Sequence, residues 1–388
     1  IQAQEAKRVT PTFSGLKGFL DRTRRSLGRG PQTQANLDRL VDINRALGDF
    51  DYTGMGIGNQ LRAQAGDLAA GIPGLAKIGG ALAGGPVGIA GLIASGGKGL
   101  VGSSIKCEVR SGSEFDLRNI ERCDELFRQN KPINVIHCAA KVGGLGGNMS
   151  HKGEFFYDNI MINTNVIESC RKYGVKKLVC FLSTCVFPDN VEYPLTEKKI
   201  HLGEPHTSNY PYAYAKRMAD IQIRAYREQY DLNYVSVIPT NIYGPHDNFN
   251  LENGHVIPSL IHKCYLAKKN STPFKIWGTG KPLREFIYSE DVAKLTEWVL
   301  DNYNEEEPII LSTSEEISIK DVVGLIVKHM DFKGDVIWED DKPDGQFRKP
   351  SDNSKLMSYL PDFKFTSLDE GLKRTVDWFV LNYKSCRK

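Results

Sequence analysis

From about residue 119 onward, short apolar runs alternate with longer amphipathic stretches. Short apolar runs are typical of buried strands, whereas apolar residues repeating every three to four positions indicate one face of a helix. The pattern predicts strands at residues 135–139, 178–182 and 233–238, and helices at residues 119–130, 154–173 and 211–230. Strands and helices in this order imply a mostly parallel sheet with helices covering both faces.

The alternation becomes less regular after residue 239. Strands are predicted at residues 274–277, 284–288 and 309–311, and helices at residues 256–267, 291–303, 318–330 and 368–383. Asp291 is the predicted N-cap of its helix, because a carboxylate there can accept hydrogen bonds from the first free amides. We therefore predict an α/β chain whose smaller C-terminal α/β domain binds the substrate.

The segment at residues 78–95 has no charged residue and consists mostly of Gly, Ala, Ile, Leu and Val. One interpretation is a short membrane-spanning segment, since about 18 apolar residues is the lower limit for spanning. The other makes residues 87–94 the first strand of the large sheet, followed by Gly96, Gly99 and Gly102. We favour the strand, because the glycine pattern follows it directly and the downstream sequence is typical of a soluble protein.

The connection after these glycines is unusually short. Residues 103–105 alone separate Gly102 from residues 106–110, the predicted second strand. A parallel crossover requires about a dozen residues or more. Either the first helix is truncated, or the second strand is lost and residues 106–110 belong to that helix.

Composition excludes several classes of protein. The hydrophobic content of 40% and the charged content of 25% are typical of a globular chain, and the net charge of +3 is too small to indicate nucleic-acid binding. Eight cysteines without a C-x-x-C pair indicate reduced thiols and no disulfide or zinc framework. No charged segment followed by an apolar one appears at the start, so a secretory signal is not expected. These features predict a cytoplasmic protein that is not attached to a membrane.

Tyr212 and Lys216 are the first candidate catalytic residues. Their spacing of four places both side chains on one helix face, where an ammonium beside a phenol should lower the tyrosine pKa. The same spacing occurs at Tyr173/Lys177 and Tyr265/Lys269. The surroundings favour Tyr212, since its helix lies between two predicted strands and Ser183 follows the first of them.

Several ordered motifs accompany this pair. They are Ala-Ala-Lys-Val-Gly-Gly at residues 139–144, Ser-Thr-Cys-Val-Phe-Pro at 183–188, Pro-Thr-Asn-Ile-Tyr-Gly-Pro-His-Asp-Asn-Phe at 239–249, Gly-His-Val-Ile-Pro at 254–258, Trp-Gly-Thr-Gly at 277–280, Arg-Glu-Phe at 284–286 and Lys-Pro-Asp-Gly at 342–345. From about residue 86 to residue 388 the chain resembles the extended short-chain dehydrogenase/reductases. Within them it is similar to the GDP-L-fucose synthase family, epimerase-reductases that act on GDP-4-keto-6-deoxymannose.

The resemblance implies three regions. A Rossmann-like, doubly wound parallel sheet that binds NADP would occupy residues 86–248, with its first crossover truncated, and the substrate domain would occupy residues 249–388. Residues 1–85 do not resemble the family and are expected to be partly disordered or helical. The resemblance also implies a homodimer that binds a GDP-sugar.

The resemblance implies roles for the catalytic residues. Tyr212 would donate a proton during reduction at carbon 4, with Lys216 and Ser183 supporting it. Cys185 and His255 would act as base and acid during epimerisation at carbons 3 and 5. Considered alone, Cys185 would be interpreted as a small core residue and His255 as a solvated loop residue.

Other residues would bind the cofactor and the substrate. Those implied for the cofactor are Gly96, Gly99, Gly102, Arg110, Asp116, Leu117, Ala139 and Lys216, and those implied for the substrate are Asn241, Lys263, Trp277 and Arg284. Arg110 occupies the place of the carboxylate that would bind an NAD ribose, which favours NADP. We interpret His137 as a core residue, and Asn163 resembles the asparagine that supports the active site in this superfamily.

Two alternatives are kept. The chain could be another nucleotide-sugar epimerase or dehydratase, although Cys185 stands where a dehydratase of this kind carries a carboxylate. It could also be a catalytically impaired, non-catalytic binding or membrane-tethered protein, because the first crossover is short and residues 1–85 are foreign to the family.

Overall fold

The computed structural model of the chain describes residues 92–95, 107–110, 115–142, 151–252, 254–342, 344 and 346–388. The predictions for residues 1–85, for Gly96, Gly99 and Gly102, and for the glycine loop at 143–147 lie outside the described residues.

The described strands are β1 (Leu92–Ser95), β2 (Cys107–Arg110), β3 (Asn134–His137), β4 (Lys177–Phe181), β5 (Asn233–Pro239), β6 (Asn241–Tyr243), β7 (Phe274–Trp277), β8 (Leu283–Tyr288), β9 (Ile309–Leu311), β10 (Glu316–Ser318) and β11 (Val336–Glu339). The described helices are α1 (Ile120–Asn130), α2 (Lys152–Lys172), α3 (Tyr210–Tyr230), α4 (Val256–Asn270), α5 (Ser289–Asn302), α6 (Ile319–Met330), α7 (Ser354–Tyr359) and α8 (Leu368–Asn382).

The largest sheet in the described part of the chain has the strand order β2-β1-β3-β4-β5-β9. Strands β3, β4, β5 and β9 are parallel to their neighbours. Successive residues of β4 contribute to two cores: Leu178 and Cys180 pack with α1, α2 and α3, while Val179 and Phe181 pack with α5. Burial on both faces explains why these strands are continuous apolar runs. The predicted α/β fold with a parallel sheet is confirmed.

Strand β1 runs against this direction. It pairs antiparallel with both β2 and β3, so that Ser95 at its end lies opposite Asn134, where β3 begins. The chain therefore leaves β1 at the amino edge of the parallel strands, and no parallel crossover joins β1 to β2. Of the two alternatives for residues 106–110, the structure has the strand, β2.

A second group of elements follows β5. Strands β10, β8 and β6 form one small sheet and β11 pairs with β7, and α4, α6 and α8 pack with them around a separate core. The predicted N-cap role of Asp291 is wrong, since α5 begins at Ser289. The Asp291 carboxylate instead accepts hydrogen bonds from the backbone nitrogen of Thr366 at 2.7 Å and from its hydroxyl at 3.0 Å. The domain boundary between residues 248 and 249 stays a prediction.

No helix in the described ranges combines the length and the apolar character needed to cross a membrane.

Candidate active site

The carboxyl end of β4 places a hydroxyl and a thiol side by side. After β4 the chain forms a single 3-10 turn, Thr184–Val186, and Ser183 precedes it with an extended backbone. The Ser183 hydroxyl oxygen accepts a hydrogen bond from the backbone nitrogen of Cys185 at 3.4 Å. Both side chains are partly exposed. The turn thus presents Ser183 and Cys185 together at the sheet edge where α/β proteins bind ligands.

Helix α3 brings Lys216 to the same edge. The Lys216 side chain is 1% exposed, and its Nζ donates a hydrogen bond to the carbonyl oxygen of Phe181, the last residue of β4, at 2.8 Å. That Nζ lies 5.9 Å from the centre of the Tyr212 ring. Burial lowers the pKa of Lys216, while the thiols of Cys180, Cys138 and Cys185 act in the opposite direction. The lysine is therefore held between the strand and the tyrosine.

The predicted effect of Lys216 on Tyr212 is not what the structure has. Burial raises the pKa of the Tyr212 phenol well above its ordinary value, and the thiols of Cys185 and Cys180 act in the same direction. Desolvation is the largest cause of this shift, and the Lys216 ammonium donates to the Phe181 carbonyl oxygen. Tyr212 therefore keeps its proton at neutral pH, which is the form that a proton donor requires.

Cys185 is also protonated at rest. Burial raises the pKa of its thiol, and the bond to Ser183 and the positive charges of Lys349, Lys216 and Arg217 partly offset this. A thiolate is the reactive form of cysteine. These cations therefore favour the thiolate of Cys185, against the effect of burial.

His255 lies immediately before α4, in the N-cap position but without a side-chain capping bond. Its imidazole is exposed at the surface, although the protein packed around it and the Arg387 guanidinium lower its pKa. The imidazole is thus neutral at neutral pH. Within the described residues, no hydrogen bond or ion pair joins His255 to Cys185.

Asn163 braces the site from α2. It is 1% exposed, its Oδ1 lies 3.0 Å from Nε2 of His137, and its Nδ2 donates to the carbonyl oxygen of Ala215 at 3.2 Å. His137 is fully buried at the end of β3, and burial and the charge of Lys216 lower its pKa to about 3. A neutral histidine and an asparagine therefore join β3 and α2 to the residue that precedes Lys216.

The residues predicted for the cofactor lie along the same edge where they are described. Ala139 is fully buried just after β3, and Leu117 is 2% exposed, with its carbonyl oxygen accepting a hydrogen bond from Asn165 at 3.0 Å. Asp116 is paired with Arg118 at 2.8 Å. Leu92 of β1 is paired with Arg110 of β2 on one side and with His137, the last residue of β3, on the other. The backbone of Arg110 therefore lies at the carboxyl edge of the parallel strands.

Some buried polar atoms at this edge have no hydrogen-bond partner within the described residues. They include Nδ1 of His137, at the end of β3, and the Thr240 hydroxyl oxygen, directly after β5. A buried hydroxyl without a partner is costly, and a bound amide such as that of nicotinamide could satisfy it. The residues at this edge therefore fit a dinucleotide, whereas the glycine triplet lies outside the described residues.

The residues predicted for the substrate form two contacts. Nζ of Lys263 lies 5.7 Å from the ring centre of Trp277, whose side chain is 63% exposed. Nδ2 of Asn241 donates to the carbonyl oxygen of Glu285 at 2.7 Å and so joins β6 to β8, one residue from Arg284. Burial lowers the pKa of Arg284, although Asp344 and Glu316 oppose this effect. Two of the predicted residues are therefore cations whose charge is partly desolvated.

Sequence reasoning missed two groups at this site. The Asp344 carboxylate accepts bonds from the backbone nitrogen and hydroxyl of Thr279, both at 2.7 Å, and approaches Gly278 so closely that a Cβ there would lie 2.2 Å from Oδ1. Gly278 also has φ +80°, so the Trp-Gly-Thr-Gly motif requires glycine here. Lys349 is the second group, and the Lys-Pro-Asp-Gly motif a few residues earlier is the only signal for either.

No cluster of three or more His, Cys, Asp or Glu side chains suited to a metal ion occurs in the described part of the chain.

Comparison with known proteins agrees with this arrangement. A family model described as the NAD dependent epimerase/dehydratase family matches residues 95–312. A GDP-L-fucose synthase of Dictyostelium discoideum is 50% identical over 311 residues, covering 76% of this chain and 97% of that protein. A probable GDP-L-fucose synthase of Drosophila melanogaster is 42% identical over 318 residues, covering 76% of this chain and 99% of that protein. A crystal structure of a GDP-L-fucose synthetase from Naegleria fowleri bound to NADP has 47% sequence identity and a TM-score of 0.69, covering 71% of this chain and 85% of that one.

Proposed function

Since the chain belongs to the NAD dependent epimerase/dehydratase family, we propose that it catalyses the reaction of the GDP-L-fucose synthases. The protein converts GDP-4-keto-6-deoxymannose into GDP-L-fucose by epimerisation at carbons 3 and 5 and reduction at carbon 4. The observation that carries this proposal is the 50% identity over nearly the whole length of the Dictyostelium enzyme. The grouping of Ser183, Cys185, Tyr212 and Lys216 at one sheet edge is consistent with it.

NADP is the cofactor, as in the Naegleria structure, and its reduced form supplies the hydride. The residues that would hold it are Lys216, Ala139, Arg110, Asp116 and Leu117, with Thr240 as the additional buried hydroxyl. Gly96, Gly99 and Gly102 complete the proposed cofactor site.

Tyr212 gives its proton to the oxygen that becomes negative at carbon 4. Burial keeps this phenol protonated, and Ser183 can donate a hydrogen bond to the same oxygen. Lys216 lies behind the tyrosine, fixed on Phe181, so its charge favours the phenolate left after the proton has gone. Stabilising charge where it develops is the largest contribution that such a site makes.

Epimerisation uses Cys185, whose pKa is raised, and His255, whose pKa is lowered. Cys185, once deprotonated, removes a proton beside the ketone, and His255 exchanges a proton with the other face of the ring. The pKa of the Cys185 thiol is raised and that of the His255 imidazole is lowered, so the thiol is protonated and the imidazole is neutral at rest. A proton therefore has to leave Cys185 before it acts as the base, which makes the nearby cations important.

The diphosphate and the base of the substrate have complementary groups in the second group of elements. Lys263 and Arg284 supply positive charge, Trp277 offers an exposed aromatic face, and Asn241 shapes the edge of the pocket. Cations in a partly desolvated site bind a diphosphate more strongly than exposed ones.

The enzyme acts as a homodimer through α2 and α3. These helices pack against each other and carry large apolar side chains that remain exposed, namely Phe156, Tyr157, Met218 and Ile221. An isologous interface would bury this surface on both copies. Light scattering should give twice the chain mass at micromolar concentration, and a monomer mass would contradict the proposal.

The proposed reaction is tested by incubating the protein with GDP-4-keto-6-deoxymannose and NADPH while following NADPH absorbance and identifying the product. The expected result is consumption of NADPH with formation of GDP-L-fucose. A product reduced at carbon 4 but not inverted at carbons 3 and 5 would show a plain reductase, and unchanged substrate would contradict the proposal as a whole.

A further inference from the structure

Two neighbouring cations of α3 hold the turn that carries Cys185, one on each side of it. Nζ of Lys216 donates to the carbonyl oxygen of Phe181, the last residue of β4 before the turn, at 2.8 Å. Nε of Arg217 donates to the carbonyl oxygen of Val186, the residue directly after Cys185, at 2.6 Å. Lys216 has a role in the proposed reduction, whereas Arg217 takes no part in either half of the proposed reaction.

Arg217 also bonds the segment that returns beside the turn. Its Nη1 donates to the carbonyl oxygen of Gly203 at 2.7 Å. The same segment is joined to the end of the turn by the backbone nitrogen of Asp189, which donates to the carbonyl oxygen of Glu204 at 2.9 Å. One guanidinium therefore holds the exit of the turn and the returning segment together, and the backbone next to Cys185 is fixed from α3.

The positive charge of Arg217 is buried and is not neutralised by a carboxylate. The side chain is 4% exposed, and within the described residues no carboxylate forms an ion pair with it. Its Nη2 is buried without a hydrogen-bond partner among them, and its guanidinium carbon lies 5.4 Å from the ring centre of Tyr214. Burying a charge that is only partly paired is costly. Since a neutral donor could also bond a carbonyl, the charge itself requires an explanation.

We propose that Arg217 is a positioning residue that fixes the turn carrying Cys185 and holds a positive charge next to it, so that the thiol can act as the epimerisation base. This inference rests on the proposed function. In the step concerned, the C–H bond beside the ketone breaks, the proton forms the S–H bond of Cys185, and the electron pair moves to the ketone oxygen as an enolate. Arg217 takes no proton in this step and acts only through Cys185.

The protonation equilibria agree with this assignment. Burial raises the pKa of the Cys185 thiol, and the charge of Arg217 acts against this rise. The other groups coupled to the thiol are unchanged in an Arg217 variant, and they are Ser183, Lys349, Lys216 and Tyr212. An opposite charge nearby shifts a pKa by roughly 1–3 units. Removing the charge of Arg217 should therefore move the titration of Cys185 upward and leave less thiolate at neutral pH.

Four variants separate the charge of Arg217 from its hydrogen bonds. Arg217→Met removes both, Arg217→Gln keeps an amide donor without the charge, and Arg217→Lys keeps the charge. Arg227→Met is the matched control, because Arg227 lies on the same helix and also donates to two carbonyl oxygens, those of Tyr234 and Asn304, both at 2.8 Å. Circular dichroism establishes that each variant is folded, and Arg217→Gln carries the comparison if Arg217→Met does not fold.

The first measurement is thiol alkylation in the protein without substrate. The pH dependence of iodoacetamide modification is followed by mass spectrometry, and fragment masses distinguish Cys185 from Cys180. The midpoint of this dependence reports the ionisation of the thiol, whereas the access of the reagent changes only the limiting rate. The second measurement is deuterium exchange at carbons 3 and 5 of the substrate. Titrations of NADPH by fluorescence and of GDP by calorimetry report on the rest of the site.

The expected result is an alkylation midpoint at least about one pH unit higher in Arg217→Met and Arg217→Gln than in the native sequence. Arg217→Lys should restore most of this shift, and Arg227→Met should leave the midpoint unchanged. Exchange at carbon 3 or 5 should slow by about tenfold or more at neutral pH in Arg217→Met and Arg217→Gln, while the affinities for NADPH and GDP are kept.

An unchanged midpoint in both Arg217→Met and Arg217→Gln would overturn the proposal. Loss of NADPH and GDP binding together with exchange would also overturn it, because it would show a residue that supports the whole fold and not Cys185 in particular. If the midpoint shifts as expected but the native protein neither exchanges nor reduces the substrate, the link between Arg217 and Cys185 holds and the proposed function fails.

Discussion

His137 gives a quantitative prediction for stability in acid. This histidine is 0% exposed, and its pKa is lowered from 6.5 to about 3 by burial and by the charge of Lys216. Between these two values the unfolded chain binds a proton that the folded chain does not, so stability falls as pH falls. The stabilisation is fully present above about pH 6.5 and is lost progressively as pH approaches 3.

The size of the effect follows from the two pKa values. Lowering the pH from 7 to 4.5 should remove about 2.5 kcal/mol of the free energy of unfolding through this residue alone. His137→Gln removes the titration while keeping an amide that can bond Asn163. The native sequence should therefore lose about 2.5 kcal/mol more than His137→Gln between these two pH values.

The assay is urea unfolding followed by tryptophan fluorescence at pH 7 and pH 4.5. Buried carboxyl groups with raised pKa values, such as Glu197 and Glu285, also change stability with pH, but they are present in both proteins and cancel in the comparison. His206→Gln, a substitution at a partly exposed histidine, serves as the control and should behave as the native sequence does. An equal loss of stability in His137→Gln and the native sequence would refute the reasoning.

Three further predictions concern the site. Tyr212→Phe should slow reduction by about 10²–10⁴-fold, while GDP binding measured by calorimetry is kept. Tyr265 packs against the core of the second group of elements. If Tyr265→Phe slows reduction more than Tyr212→Phe does, Tyr212 and Lys216 are not the catalytic pair. Cys185→Ser and His255→Gln should each slow deuterium exchange at carbon 3 or 5, and native exchange rates in both would leave a plain reductase. The affinity for NADPH, measured by titration of its fluorescence, should be at least about a hundredfold weaker than that of a site in which a full helix follows the glycine loop. A low-micromolar dissociation constant would contradict this prediction.

Much of the fold could be predicted because its signal is local. The run at residues 233–238 was predicted as a strand and β5 is Asn233–Pro239, and the helix predicted at residues 211–230 is α3, Tyr210–Tyr230. The spacing of Tyr212 and Lys216 also placed both on one face of α3, since helix geometry depends on sequence separation alone. Helices and strands that show a clear pattern of apolar residues within their own sequence can thus be predicted from the sequence.

Partners that are distant in the sequence were not predictable. Asp291 has the residue type of an N-cap, yet its carboxylate is taken by Thr366, 75 residues later. Tyr212 has the spacing of an activated phenol, yet burial determines its pKa. Ser351 carries no local signal of its position, since its backbone nitrogen donates to the carboxylate of Glu285 on β8, 66 residues earlier. In each case the residue type is local information, but its electrostatic surroundings come from the tertiary fold.

The antiparallel direction of β1 was only partly predictable from the sequence. Nothing within Leu92–Ser95 distinguishes a parallel from an antiparallel partner, and the glycines after it favoured the parallel arrangement. The connection to β2 did carry the decisive information, because residues 96–106 are too few for a parallel crossover of a dozen residues or more, whereas an antiparallel neighbour needs only a short loop. The sheet therefore accommodates the short connection by reversing β1. A fingerprint of glycines therefore predicts a parallel first strand only together with the chain length that a parallel crossover requires.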